Sequence, residues 1–109
     1  METALAAGRL VAAAVLAVQC AIACSDAVCI ARLAQRSAAG AHHEAADLLA
    51  SAGAPGAADK AEQLRRILDL KYAAEYDDRN LSPSEIKALV DRTRRLHGWM
   101  TEVLETAAR

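Results

Sequence analysis

Between Leu10 and Ala31 only Gln19, Ser25 and Asp26 interrupt an apolar run, and Val11, Val15, Val18, Ile22, Cys29 and Leu33 recur at steps of three, four or seven. This spacing predicts one long helix from Arg9 to about Arg36. Because it is apolar nearly all round, it is expected to be the central, buried helix of the fold. A preceding helix of at most two turns, Glu2 to Ala7, is expected to stop at Gly8. After a turn over 37–40, His42 to Ser51 reads as a short helix with Ala45, Leu48, Leu49 and Ala52 inward. Gly53-Ala54-Pro55-Gly56 then breaks the chain. A third helix follows from about Ala58 to Tyr76, with Leu64, Ile67, Leu68 and Leu70 on its apolar face, and ends in a polar turn over 77–80.

The last helix has the clearest start. Ser82 has the character of an N-cap, Pro83 occupies the first helical position where no amide donor is needed, and Glu85 completes a capping box. Leu81 and Ile86 are placed to staple across it. Ile86, Leu89, Val90, Thr93, Leu96, Met100, Val103 and Leu104 then form an unbroken stripe. The expected architecture is all-α: a single domain over residues 1–109, a four- to five-helix bundle around one long central apolar helix.

Composition agrees. Alanine fills 28 of 109 positions, while Phe is absent and Tyr72, Tyr76 and Trp99 are the only aromatics, which favours helix over strand. An alanine-rich interior buries little area per residue, so a second subunit is expected to add surface, and a homodimer follows. The net charge of −1 gives no overall attraction to nucleic acid or anionic lipid. Residues 60–109 hold ten of the thirteen basic side chains, but nine acids accompany them.

Cys20, Cys24 and Cys29 lie on one predicted helix, an odd number in an arrangement that suits reduced, cytoplasmic thiols rather than a disulfide framework. The same run is long enough for a membrane span, but Asp26 near its middle argues against one. Ala21-Ile22-Ala23-Cys24 loosely resembles a lipoprotein cleavage site. Glu2 in the leading segment and the apolar residues beyond Cys24 argue against export.

Two charges stand among apolar neighbours. Lys71 projects beside Leu64, Ile67 and Leu68, with Tyr72 and Tyr76 at the same helix end, and Asp26 sits within the long helix. Lys71 is accounted for if its stem packs while the ammonium reaches solvent or pairs with Glu75, and Asp26 by a structural hydrogen bond or salt bridge; both would be satisfied if they faced each other. Ser25 is an alternative partner for Asp26. Arg92 and His97 are separated by about 140° on one helix, so they cannot share a site within one subunit. His97 falls on the apolar stripe and reads as a core histidine. Trp99, near Arg92 and Arg95, reads as a flank residue that forms a cation–π pair or anchors an interface. His43 and Asp47 at i, i+4 lack further ligands, and no metal or other cofactor is expected. There is no phosphate loop, no HExxH and no nucleophile elbow.

Ser25-Asp26-Ala27 in a long apolar helix, a loop leading to His43, Leu70-Lys71-Tyr72-Ala73-Ala74-Glu75-Tyr76 and a capped helix opening Ser82-Pro83-Ser84-Glu85 together resemble the HEPN superfamily over about residues 8–107. The resemblance implies a small, usually dimeric helical bundle. Many such domains are metal-independent ribonucleases of toxin–antitoxin, CRISPR and phage-defence systems, with an Arg, four to six residues, then His lining a cleft between subunits. In this chain Lys71 and Tyr76 occupy those two positions, and Arg92 with His97 reproduces the spacing only in the last helix. A tyrosine ordinarily titrates near pH 10 and is a poor acid–base group at neutrality. The expectation is a non-catalytic module binding RNA, a nucleotide or a protein partner, such as a nucleotidyltransferase of the same operon. Its candidate binding residues are Asp26, Lys71, Tyr72, Tyr76, Arg92, Arg95 and Trp99. The alternatives are a ribonuclease toxin using Lys71, Tyr76 and His97, and a structural bundle without a ligand site.

Overall fold

The structure is a computed structural model that describes the backbone of residues 4–35, 42–76 and 81–107 and the side chains of residues 9–35, 44–71 and 81–106. The expected turns over 37–40 and 77–80 lie outside the described residues, as do the side chains of His42, His43, Tyr72 and Tyr76. Among the described residues four helices form an all-α bundle: α1 (Ala4–Leu33), α2 (His42–Ala50), α3 (Ala57–Tyr76) and α4 (Pro83–Ala107).

Helix α1 starts ahead of Gly8 and runs through it, so the expected separate first helix is absent. One glycine costs a helix roughly 1 kcal/mol relative to alanine, which the Ala- and Leu-rich flanks tolerate. The helix ends at Leu33, three residues before its expected limit, where Ala34 turns into the left-handed region with φ 56°. The Gln35 amide then reaches back to the carbonyl of Cys29 at 3.5 Å and closes the helix end.

Helix α1 contacts every other helix, as a central helix should, but it is not buried all round. Ala17, Val18, Ala21, Cys24, Ser25, Val28 and Cys29 face the core. On the other side Val11, Val15, Leu16 and Ile30 are 62, 50, 64 and 53% exposed. An apolar circumference thus indicated more cover than the three partner helices supply: they pack on one side of α1, which spans about 45 Å of a particle measuring 50 × 25 × 19 Å.

Helices α1 and α4 run parallel. The Thr93 hydroxyl donates to the Ala17 carbonyl at 3.2 Å, and further along both helices Arg32 shares a cleft with Glu102, Val103 and Thr106. Ala17 and Ala21, nearly side-chainless, permit this close approach and leave the buried Thr93 hydroxyl a partner. Helix α3 runs the opposite way and contributes Ala61, Leu64, Ile67 and Leu68 to the core, beside Leu49 of α2 and Leu89 and Leu96 of α4. Arg65 joins α3 to α2 through Asp47 at 2.7 Å and also meets Glu62 at 3.2 Å.

The turn between α2 and α3 is held from two sides. Arg32 of α1 donates to the carbonyls of Ala52 and Gly53 at 3.2 and 3.0 Å, and the Trp99 indole of α4 donates to the carbonyl of Pro55 at 2.8 Å. Gly53 and Gly56 take φ values of 75° and 80°, which a side chain would strain. The capping box of α4 is complete: Ser82 Oγ accepts the Glu85 amide at 3.1 Å while the Ser82 amide donates to Glu85 Oε1 at 2.9 Å.

Candidate functional site

Lys71 lies at the outer end of α3, where that helix has climbed past the first half of α1. Its half-buried side chain lines a crevice of about 200 Å³ with Ala14, Val15, Val18, Gln19 and Ile22 of α1 and Leu81 and Leu89 of the α4 side. Among the described residues the walls are aliphatic apart from the Gln19 amide and the Lys71 ammonium, which is already engaged. Such a lining excludes water from an apolar group and sets an amide and an engaged cation at its edge. Fully buried Leu89 forms part of the crevice floor, while half-exposed Val15 stands at its mouth.

A second groove of about 310 Å³ runs along the opposite flank of the α1–α4 seam, lined by Leu16, Ala17, Cys20, Val90, Thr93, Arg94 and His97. His97 is exposed on its rim and is not the core histidine that its position on the stripe implied. Its register places it on the α1 side of α4 at the edge of the buried face, one turn beyond Thr93. Arg92 does not line this groove, so Arg92 and His97 do not converge. Lys71 and His97 occupy different cavities, and within one subunit they form no joint centre.

Asp26 does not pair with Lys71. The ion pairs that join described residues to one another link Arg65 and Arg66 to Asp47 and Glu62, and none reaches Asp26. The carboxylate is half-exposed on the open side of α1, so water meets its solvation demand. Ser25 is not its partner either: that side chain points into the core, against the thiol of Cys29. Both expectations failed for the same reason, the exposure of half of α1.

Trp99 is 9% exposed rather than a surface anchor, and its indole serves the α2–α3 turn. Arg95 is exposed and Arg92 half-buried on α4. Asp47, expected as a possible partner of His43 toward a metal, is engaged by Arg65 instead, and no group of three or more potential metal ligands exists among the described residues.

The three cysteines are free. Cys20 and Cys24 are one turn apart with sulfurs at 4.0 Å. Burial, reinforced by the neighbouring Cys20, pushes the Cys24 thiol up to about 12, and burial raises Cys29 as well. Both buried thiols are therefore protonated packing groups, while Cys20 lines the second groove. Sequence reasoning missed the groove residues Cys20 and Arg94, and also Arg32. Their role depends on which helix lies opposite, and no local pattern carries that information.

No family model matches the chain, and neither a curated protein nor a solved structure is similar to it.

Proposed function

We propose that the chain is a dimeric, non-catalytic binding module of the HEPN-like kind, acting in the cytoplasm within a toxin–antitoxin or defence setting, and that it docks a protein partner at the crevice beside Lys71. The observation that carries this reading is the lining of that crevice: of its eight side chains among the described residues seven are aliphatic or amide, the eighth is an ammonium, and none is an imidazole. An apolar side chain of a partner protein, with a carboxylate beside it, matches those walls better than a phosphodiester backbone, which calls for several cations. A nucleotidyltransferase encoded alongside would be a partner of this kind. RNA or a nucleotide would have to rely on Lys71 together with exposed arginines such as Arg95.

The rival reading is a metal-independent ribonuclease toxin built on Lys71 and Tyr76, with His97 reaching the reaction only from a second subunit. Expression of the wild-type chain and of a Lys71→Ala/Tyr76→Phe double variant separates the two. The module reading expects no RNA cleavage and no growth arrest from either. Cleavage or toxicity that the double change abolishes would overturn it in favour of the nuclease. Partner docking is read by co-purification with the neighbouring gene product, which Lys71→Glu should weaken at least tenfold by placing a like charge against the partner's carboxylate.

A further inference from the structure

The groove between α1 and α4 gives access to a pair of thiols that has no part in the crevice beside Lys71. Cys20 and Cys24 sit on successive turns of α1, about 40° apart around its axis. Their sulfurs stand 4.0 Å from each other. Cys20 is half-buried on the groove wall, which it shares with Leu16, Thr93 and His97. Cys24 lies behind it, buried in the core.

Two thiols so placed can join in a disulfide or share an ion, and the helix decides between these. Residues four apart on a helix hold their Cβ atoms about 5–6 Å apart, whereas a disulfide draws them to about 3.5–4.5 Å. Closing that bond would break the turn of α1 that carries fully buried Ala21. An ion asks for no such movement. At roughly 2.3 Å for each metal–thiolate bond, two sulfurs 4.0 Å apart subtend about 120° at an ion between them. Opening that angle to a straight line needs only about 0.6 Å more, which a turn of the half-buried Cys20 side chain supplies.

The number of ligands selects the ion. Cys29 points about 140° away from Cys24 around the helix and packs beside Ser25 instead. No third His, Cys, Asp or Glu joins the pair among the described residues. Zinc fills four positions, and calcium and magnesium take oxygen ligands, so none of these is satisfied. Cu(I), a soft closed-shell cation, prefers sulfur and is content with two thiolates. Its capture balances without any oxidant or reductant: one Cu(I) and two thiols give one bis-thiolate complex and two protons, with copper unchanged in oxidation state. The complex carries one negative charge, and Arg94 brings a cation to the wall of the same groove.

We propose that Cys20 and Cys24 form a two-thiolate site for Cu(I), loaded through the groove between α1 and α4. The site stands apart from the Lys71 crevice and shares no lining residue with it, so it does not depend on partner docking there.

The test titrates the full chain, reduced and free of oxygen, with Cu(I) held by the chromophoric chelator bicinchoninate. The chain should withdraw one Cu(I) per molecule, develop thiolate-to-copper absorption in the near ultraviolet and release two protons per ion at neutral pH. Cys20→Ser should lower the affinity about a hundredfold or more, with unchanged helical circular dichroism because that side chain stands at the groove rather than in the core. Cys24→Ser should have the same effect on binding. Cys29→Ser and His97→Ala should stay within about threefold of the wild type, and Zn(II) should bind about a hundredfold more weakly than Cu(I). A chain that withdraws no Cu(I), or one indifferent to Cys20→Ser, leaves the thiols as packing groups and overturns the proposal. So does one ion per two chains, which would place the site between molecules. Loss of binding in His97→Ala, or Zn(II) bound as tightly as Cu(I), would reveal a larger ligand set and equally overturn it.

Discussion

At Ala34 the backbone takes a left-handed turn that glycine would take without cost. A non-glycine residue there pays roughly 1 kcal/mol or more for the approach of its Cβ to the carbonyl. Ala34→Gly should therefore raise stability by about 0.5–1 kcal/mol, after the entropy that glycine restores to the unfolded chain is subtracted, and lift the thermal midpoint by a few degrees. Urea and thermal melts check this. Trp99 offers the converse case. Trp99→Phe retains most of the ring but removes the indole N–H, and leaves the Pro55 carbonyl without its 2.8 Å donor. A loss of about 1–2 kcal/mol is expected in urea unfolding, with the larger value if the turn cannot admit water. The sequence singled out Trp99 for its place on the flank of the apolar stripe beside Arg92 and Arg95, which suggested a surface role. The residue it serves lies 44 positions away, in a turn that composition alone shows only as a break.

Elements were the most legible level. The capping box at Ser82 and Glu85 was readable because all its atoms come from four consecutive residues, and tertiary contacts do not rearrange so local a motif. Ser82→Ala should cost about 1 kcal/mol, measured as a shift in the urea midpoint at constant slope. The starts of α2 and α3 were placed within a residue for a similar reason, since glycine and proline punctuate both sides. The errors fell on α1, whose two ends are set by weak signals: Gly8 was expected to break the helix, and Ala34, with no sequence mark at all, ended it. Periodicity also misjudged its cover. A helix that is apolar all round declares that every face prefers to be buried, and says nothing about whether the same chain supplies the neighbour.

Across the whole molecule, stability should depend on pH through the buried thiols. Cys24 has a folded pKa near 12 against 9.0 for an exposed cysteine, so the folded protein keeps a proton that the unfolded chain releases. The contribution is intact below about pH 9 and drains away as the pH rises toward about 12. Urea midpoints should fall between pH 8 and pH 10.5 in the wild type, and fall less steeply in Cys24→Ala, which removes the titrating group. The thiol pattern also predicts reactivity: under native conditions a maleimide reagent should label Cys20 well before Cys24 and Cys29, and denaturation should equalise the three.

The candidate site was only half visible in advance. Lys71 declared itself because a cation in a leucine-rich register is anomalous on any single helix. Asp26 did so too, but its apparent burial came from reading the helix without its surroundings, and its pairing with Lys71 required α3 to reach the level of Asp26, whereas Lys71 lies against Ala14 to Ile22 of α1.

The amino-acid order by itself determined an all-helical bundle of four to five helices, the capped start of α4 and the odd position of Lys71, because each rests on contacts within a few residues or on intrinsic backbone preference. Only the tertiary structure decided which half of α1 is covered, that Trp99 and Arg32 hold one turn, and that Lys71 and His97 open onto separate cavities. These depend on which surfaces helices distant in sequence present to one another, and close packing at Ala17 and Ala21 brings α4 to one side of α1 while leaving the other bare.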